Sequence, residues 1–169
     1  LGIPDYGFSS SEIRPDFNSL EFLKQVGELG INKFDTSPRY GQSEKILGNY
    51  IKQKKEVPFI SSKIDNLKPN DPDSDKCMIN SVKTSLRQMN LCYLDLCYLH
   101  QNEMEIISDP YVQEGLEKLK DIGLIKKSGA SVYSEEECEY ALQGNRYDYI
   151  QVPVSVFDLN FYQKFIQNN

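Results

Sequence analysis

Short apolar runs alternate with longer amphipathic stretches along the whole chain. The runs at 31–35, 57–63, 94–100, 127–131 and 149–153 read as strands, that at 94–100 most clearly. Several are apolar at successive positions instead of every second one, the pattern of strands covered on both faces. The stretches between them carry helical periodicity. Leu20, Leu23, Val26 and Leu29 share one face, and Asn18 with Glu21 three residues on has the form of a capping box. Ile46, Leu47, Tyr50 and Ile51 mark a second helix, and Ile79, Val82, Leu86 and Met89 a third. Val112, Leu116, Leu119 and Ile122 mark a fourth, stopped by Gly123. Ser134 with Glu137 is a second capping box, and Gly144 lies just past the helix it opens.

This alternation predicts an α/β protein with a parallel sheet, either open and doubly wound or closed into a barrel. Strand starts recur every 20 to 40 residues. An eight-unit barrel of about 250 residues needs about 31 residues per unit. No self-similar motif of a solenoid recurs. At barrel spacing, residues 1–169 form one domain of five to six β/α units, ending in or just after the helix that follows the last strand. An unclosed barrel exposes two strand edges. The expectation is therefore a longer natural protein, or a partner for these edges.

Composition narrows the function classes. With 39% hydrophobic and 26% charged residues the chain is an ordinary globular one. No apolar run approaches the roughly 18 residues of a membrane span, so no membrane partner is expected. Residues 1–5 lack the basic start and apolar stretch of a signal peptide, although a chain beginning at Leu1 rather than Met gives that absence less weight. A formal charge of −6 argues against nucleic acid. The basic run 52–55 reads as a solvated helix end. Cys77, Cys92, Cys97 and Cys138 suggest small buried thiols rather than a disulfide framework. A single histidine and the Cys92/Cys97 spacing argue against zinc, so no metal is expected. The expected compartment is the cytoplasm; oligomeric state is not legible.

In parallel α/β proteins, functional groups gather at the carboxyl ends of strands. Asp35, Lys63 and His100 close three of the predicted strands, and Tyr40 follows in the loop after Asp35. Together they suit hydride transfer to a carbonyl, where charge developing on oxygen must be met by an acid. A free phenol is weakly acidic, with a pKa near ~10, and a neighbouring ammonium strengthens it. That suits Tyr40 beside Lys63. Asp35 would keep Lys63 charged, and His100 would orient the carbonyl oxygen. An Asp35–Lys63 ion pair that only braces the rim accounts for the same residues equally well.

Residues 30–48, G-I-N-K-F-D-T-S-P-R-Y-G-Q-S-E-K-I-L-G, resemble the signature of the aldo-keto reductases. Further on, S-S-K at 61–63 resembles the strand bearing that family's lysine, and Y-L-H at 98–100 the strand bearing its histidine. The run 123–131 and I-Q-V-P at 150–153 resemble the family's fifth and sixth strands. The resemblance implies a (β/α)8 TIM barrel, of which this chain holds about the first six units and lacks the last two. It implies NADPH-dependent reduction of an aldehyde or ketone, such as a sugar or sugar nucleotide. It makes Tyr40 the general acid, Lys63 and Asp35 its tuning groups, and His100 the group that orients the carbonyl. It places Ser131 and Gln151 on the nicotinamide carboxamide and Asp35 near the nicotinamide ribose.

Val132 stands where the family often has Asn, so one amide contact is lost or supplied elsewhere. The G-A-S-V-Y-S run at 129–134, with 152–158, resembles bacterial members linked with surface polysaccharide synthesis. Without the last two units, residues 1–169 are expected to bind NADPH poorly and to turn over slowly. Two alternatives stand beside the reductase: a regulatory cofactor-binding protein on the same barrel, as with the potassium-channel β subunits, and an inactive truncated product. Tyr6, Phe8 and Tyr133 are candidates to line the substrate mouth.

Overall fold

A computed structural model describes residues 18–167 with the exception of Asp158. Among these residues five parallel strands alternate with helices. The strands are β1 (Lys33–Asp35), β2 (Phe59–Ile64), β3 (Leu96–Leu99), β4 (Ser128–Ser131) and β5 (Tyr149–Gln151). The helices are α1 (Ser19–Glu28), α2 (Ser43–Ile51), α3 (Ser74–Met89), the short α4 (Met104–Ile107), α5 (Pro110–Asp121) and α6 (Glu135–Leu142), followed by a π-helical turn, Tyr162–Ile166. Each predicted strand is present and starts or ends inside its expected run, although β2 begins two residues later than expected and runs one residue further, to Ile64. Tyr6, Phe8 and Asp158 lie outside the described residues.

Strand order settles the architecture. The strands pair in sequence order, β1-β2-β3-β4-β5, each parallel to the next. A doubly wound sheet reverses direction at a switch point, whereas a barrel adds every new strand to the same side. The sheet is therefore the curled half of a β/α barrel. No helix among the described residues is long and apolar enough to cross a membrane.

The core lies between sheet and helices. Ile60, Ile64, Cys97, Leu99 and Ala130 project from alternate strand positions into one cluster with Leu23, Leu47, Met78, Val82, Leu86, Leu116 and Leu119. Leu23, Leu47, Val82, Leu86, Met89, Val112, Leu116 and Leu119 are buried as their periodicity requires. Leu29 and Ile122 are not: both are C-cap residues, past the last helical turn, and are 81% and 49% exposed. Asn18 accepts from the backbone N–H groups of Leu20 and Glu21, and Ser134 with Glu137 forms the complete reciprocal capping box. Gly123 and Gly144 follow α5 and α6 with positive φ. The cysteine expectation is half right. Cys97 and Cys138 are buried, whereas Cys77 and Cys92 are exposed, and all four are free thiols. The basic run 52–55 is exposed beyond the end of α2.

Helix α2 follows the loop that carries Tyr40, so its seating fixes that loop. Gly48 is the point where α2 meets α3. A Cβ there would fall 2.5 Å from the Gln88 carbonyl oxygen and 2.8 Å from Met89 Cα, both backbone atoms that cannot swing away. Gly48→Ala should therefore destabilise the fold by about 1–3 kcal/mol through overpacking, despite the better helix propensity of alanine, worth about 1 kcal/mol. Urea unfolding of the two proteins measures the sign directly. A stabilised variant would mean that the helices are not held at this distance.

Candidate active site

The site is built from strand ends. Asp35 ends β1, Ser61 and Lys63 lie two apart on β2, His100 follows β3, Ser131 ends β4 and Gln151 ends β5. Side chains two apart on a strand share a face. The register sets Asp35 beside Ser61, Lys63 beside Tyr98 and Ser131 beside Gln151. These groups therefore share the sheet face that turns away from the helices. Gly129 on β4 makes room for the Tyr98 ring, since a Cβ there would lie 2.5 Å from Tyr98 Cδ1.

Lys63 is the centre of this face. Its side chain is only 2% exposed, and its ammonium is ion-paired with the Asp35 carboxylate. It also donates to the Thr36 carbonyl oxygen at 3.1 Å. The second Asp35 oxygen accepts from Ser61 Oγ at 2.8 Å. The Lys63 ammonium lies 5.1 Å from the centroid of the Tyr40 ring and 6.0 Å from that of Tyr98. Tyr40 and His100 meet edge to face, with ring centroids 6.0 Å apart and planes at 87°. All four residues expected to form the centre are thus brought together.

The loop between β1 and α2 holds Tyr40 through its own backbone. Tyr40 N–H donates to the Ser37 carbonyl at 2.9 Å, and Ser43 N–H donates to the Tyr40 carbonyl at 3.0 Å. Ser37 is fully buried, accepts from Arg39 N–H at 3.1 Å, and places its Oγ 3.2 Å from His100 Nδ1. It therefore ties the loop to the histidine. Burial holds the His100 pKa below the usual imidazole value. The nearby Asp65 carboxylate opposes this, the Lys63 and Arg39 cations reinforce it, and Asp35 opposes it again.

Ser131 and Gln151 form a second polar group on β4 and β5. Ser131 Oγ donates to Gln151 Oε1 at 2.9 Å, which leaves the Gln151 amide N–H groups as donors. A hydroxyl beside an amide complements a carboxamide, which itself carries one acceptor and two donors, so this pair fits a nicotinamide. Val132 is fully buried in the core cluster and contributes only its backbone N–H, donated to the Gln151 carbonyl at 2.9 Å. Tyr133 follows β4 and is 60% exposed. Among the described residues no group of three or more His, Cys, Asp or Glu is placed to hold a metal ion.

Sequence reasoning missed Ser37, Ser61, Arg39 and Asp65. Ser61 and Ser37 gave no periodic signal, since a small hydroxyl fits any strand or turn. Asp65 lies one residue beyond β2, and extending the strand-end rule by that residue would have found it.

A family model described as the aldo/keto reductase family matches residues 7–168. The chain is 32% identical over 122 residues to D-arabinose 1-dehydrogenase of Saccharomyces cerevisiae, covering 67% of this chain and 36% of the relative. It is 31% identical over 138 residues to L-galactose dehydrogenase of Arabidopsis thaliana, covering 73% of this chain and 43% of the relative. The chain thus spans less than half the length of these two curated relatives. Among solved structures, an aldo-keto reductase from Bacillus halodurans in its holo form superposes with a TM-score of 0.72 at 28% identity, covering 85% of this chain and 51% of that one.

His100 is the one histidine in the sequence, so its ring proton resonances need no assignment. An NMR titration should give a midpoint below the ordinary value of about 6.5. Arg39→Met should raise the midpoint and Asp65→Asn should lower it further. Because the folded value is the depressed one, stability linked to His100 is present above the unfolded pKa. It is lost as pH falls from there through the folded pKa. A midpoint above the ordinary value would mean that the two carboxylates outweigh burial.

Proposed function

The chain belongs to the aldo/keto reductase family, and on that footing we propose that it carries the catalytic centre of an NADPH-dependent carbonyl reductase. The names of two relatives as sugar dehydrogenases support a sugar-like aldehyde or ketone as substrate. The observation that carries the reading is the buried Lys63 ammonium, set between the Asp35 carboxylate and the Tyr40 ring with His100 edge-on beside it. A brace for the rim needs Lys63 and Asp35 alone. It gives no reason for a phenol and an imidazole to converge on the same cation.

Each residue then has a role. Ser131 and Gln151 would hold the carboxamide of the nicotinamide, and Asp35 would face its ribose. When bound, the nicotinamide supplies the hydride that the carbonyl carbon takes up. As the carbonyl π bond breaks, the Tyr40 hydroxyl gives its proton to the oxygen, so a C–H and an O–H bond form together. The phenolate left behind sits against the Lys63 ammonium, which stabilises it in a site poor in water. Asp35, fixed by Ser61, keeps that ammonium in place. His100, neutral near pH 7 because its pKa is held low, donates a single ring N–H toward the carbonyl oxygen. With Ser37 at Nδ1, the other ring nitrogen, Nε2, remains for the substrate. We also propose that residues 1–169 form one domain, the first part of an eight-unit barrel.

The test is oxidation of NADPH, followed at 340 nm, by the full-length protein offered a panel of aldehydes and sugars. Tyr40→Phe removes one oxygen and should lower kcat by about 100- to 10,000-fold, with NADPH binding retained. Equal turnover by the variant would remove Tyr40 from the acid role. Cofactor binding with no turnover in either protein would favour a regulatory cofactor-binding role.

A further inference from the structure

Ser37 has no part in the proton and hydride steps assigned so far, yet its hydroxyl touches the histidine. It lies two residues after Asp35 in the β1–α2 loop and is fully buried. Its Oγ accepts from Arg39 N–H at 3.1 Å and stands 3.2 Å from His100 Nδ1. Among the described residues these are the two polar contacts of that oxygen. A backbone N–H can only donate, so it offers nothing to the proton of the hydroxyl. A buried O–H without an acceptor is costly. The serine proton therefore goes to Nδ1, and Nδ1 accepts it only when it carries no proton of its own.

Matching donors to acceptors fixes the ring. A neutral imidazole carries one proton, and an accepting Nδ1 puts it on Nε2. The opposite tautomer would bring a second N–H to Ser37 Oγ and leave the serine proton with nothing to bond. The ring is also held against turning over. His100 N–H donates to the Ile64 carbonyl at 2.9 Å, which fixes the backbone against β2. Gln101, next in sequence, accepts from Leu67 N–H at 2.6 Å and donates to the Leu67 carbonyl at 3.1 Å. The Tyr40 ring packs edge to face against the imidazole, with 6.0 Å between centroids. A turned ring would set a C–H against Ser37 Oγ in place of Nδ1. Burial holds the His100 pKa low, so near neutral pH the tautomer decides what the ring offers.

We propose that Ser37 is a positioning residue that locks the proton of His100 on Nε2, the nitrogen left for the substrate. The two tautomers present opposite groups to a carbonyl oxygen. Nε2–H meets that oxygen as a donor, whereas a bare Nε2 sets lone pair against lone pair. The serine hydroxyl touches no substrate and acts only through the ring. Arg39 takes part through its backbone, whose N–H sets the direction of the Ser37 hydroxyl. Its side chain, paired with Asp65 just past β2, keeps that N–H in place. This inference rests on the reductase reading for the substrate oxygen and deepens it by naming the residue that prepares its donor.

Nitrogen NMR reads the tautomer directly. The full-length protein is labelled with nitrogen-15 in its histidine rings, and a His100→Gln variant identifies the His100 signals by their loss. At a pH well above the His100 midpoint, Nδ1 should resonate as an unprotonated nitrogen and Nε2 as a protonated one. Ser37→Ala should draw the two signals toward each other as the tautomers mix. In the same variant kcat/KM for an aldehyde should fall about three- to tenfold, the loss of one hydrogen bond, with NADPH affinity unchanged. A wild-type proton on Nδ1 overturns the proposal, and so do ring signals equal in the two proteins or an unchanged rate. If Ser37→Ala does not fold, Ser37→Cys takes its place, since a thiol keeps the outline but donates weakly. Its ring signals should move in the same direction, and signals equal to the wild type overturn the lock. If the full-length protein turns over no aldehyde, the reductase reading fails separately, and the ring signals alone decide whether Ser37 sets the tautomer.

Discussion

Everything on the face that carries the candidate site depends on one buried charge. An ammonium removed from water costs several kcal/mol unless it is paired and hydrogen-bonded. Lys63 is almost completely buried, so Asp35 must face it and the Thr36 carbonyl must turn toward it. These demands fix the end of β1 against β2 and set the first residue of the loop that follows. Ser61 answers the remaining Asp35 oxygen from the same face of β2. Tyr40 is then delivered by a loop whose start is already anchored, and its ring meets the cation from the open side.

The same strand carries a second polar network on its other face. Ser62, between Ser61 and Lys63, points toward the helices and donates to Glu44 of α2 at 2.7 Å. Glu44 is buried, and burial pushes its carboxyl above the usual carboxylate range, against hydrogen bonds from Ser62 and Ser85. A strand reading S-S-K is thus polar on both faces for different reasons. One face serves the site, and the other locks the helix that follows the site loop to the strand that bears the lysine. Displacing α2 would strain both networks together, because they share consecutive residues of β2.

How much of this is legible in the sequence depends on what each feature needs. The strands and most helices follow from periodicity and caps, which are local. Asp35, Lys63 and His100 are legible because strand ends in parallel sheets converge on one rim, and Tyr40 because it follows one of them closely. Ser37 is different. Its importance comes from touching His100, 63 residues away, and only the strand register brings the two together. Leu29 and Ile122 keep helical spacing one step past the end of their helices, so a pattern that ignores the cap residue buries them wrongly. Exposure of Cys77 and Cys92 was hidden for a similar reason: a thiol on an amphipathic segment takes whichever side the packing leaves it.

The arrangement around Tyr40 and His100 has a simple electrostatic logic. Two cation–carboxylate pairs flank the rings, Lys63 with Asp35 and Arg39 with Asp65. Each pair comes from the same two segments, the β1–α2 loop with the end of β1, and the end of β2. In the first pair the cation is buried and the carboxylate partly exposed; in the second the order is reversed. The buried member is the one positioned most rigidly, so one pair presents a fixed positive charge and the other a fixed negative one. A fixed positive charge beside a phenol favours the loss of its proton. A fixed carboxylate beside an imidazole opposes the loss of basicity that burial imposes. The two pairs therefore act on neighbouring rings in complementary ways while adding no net charge to the face.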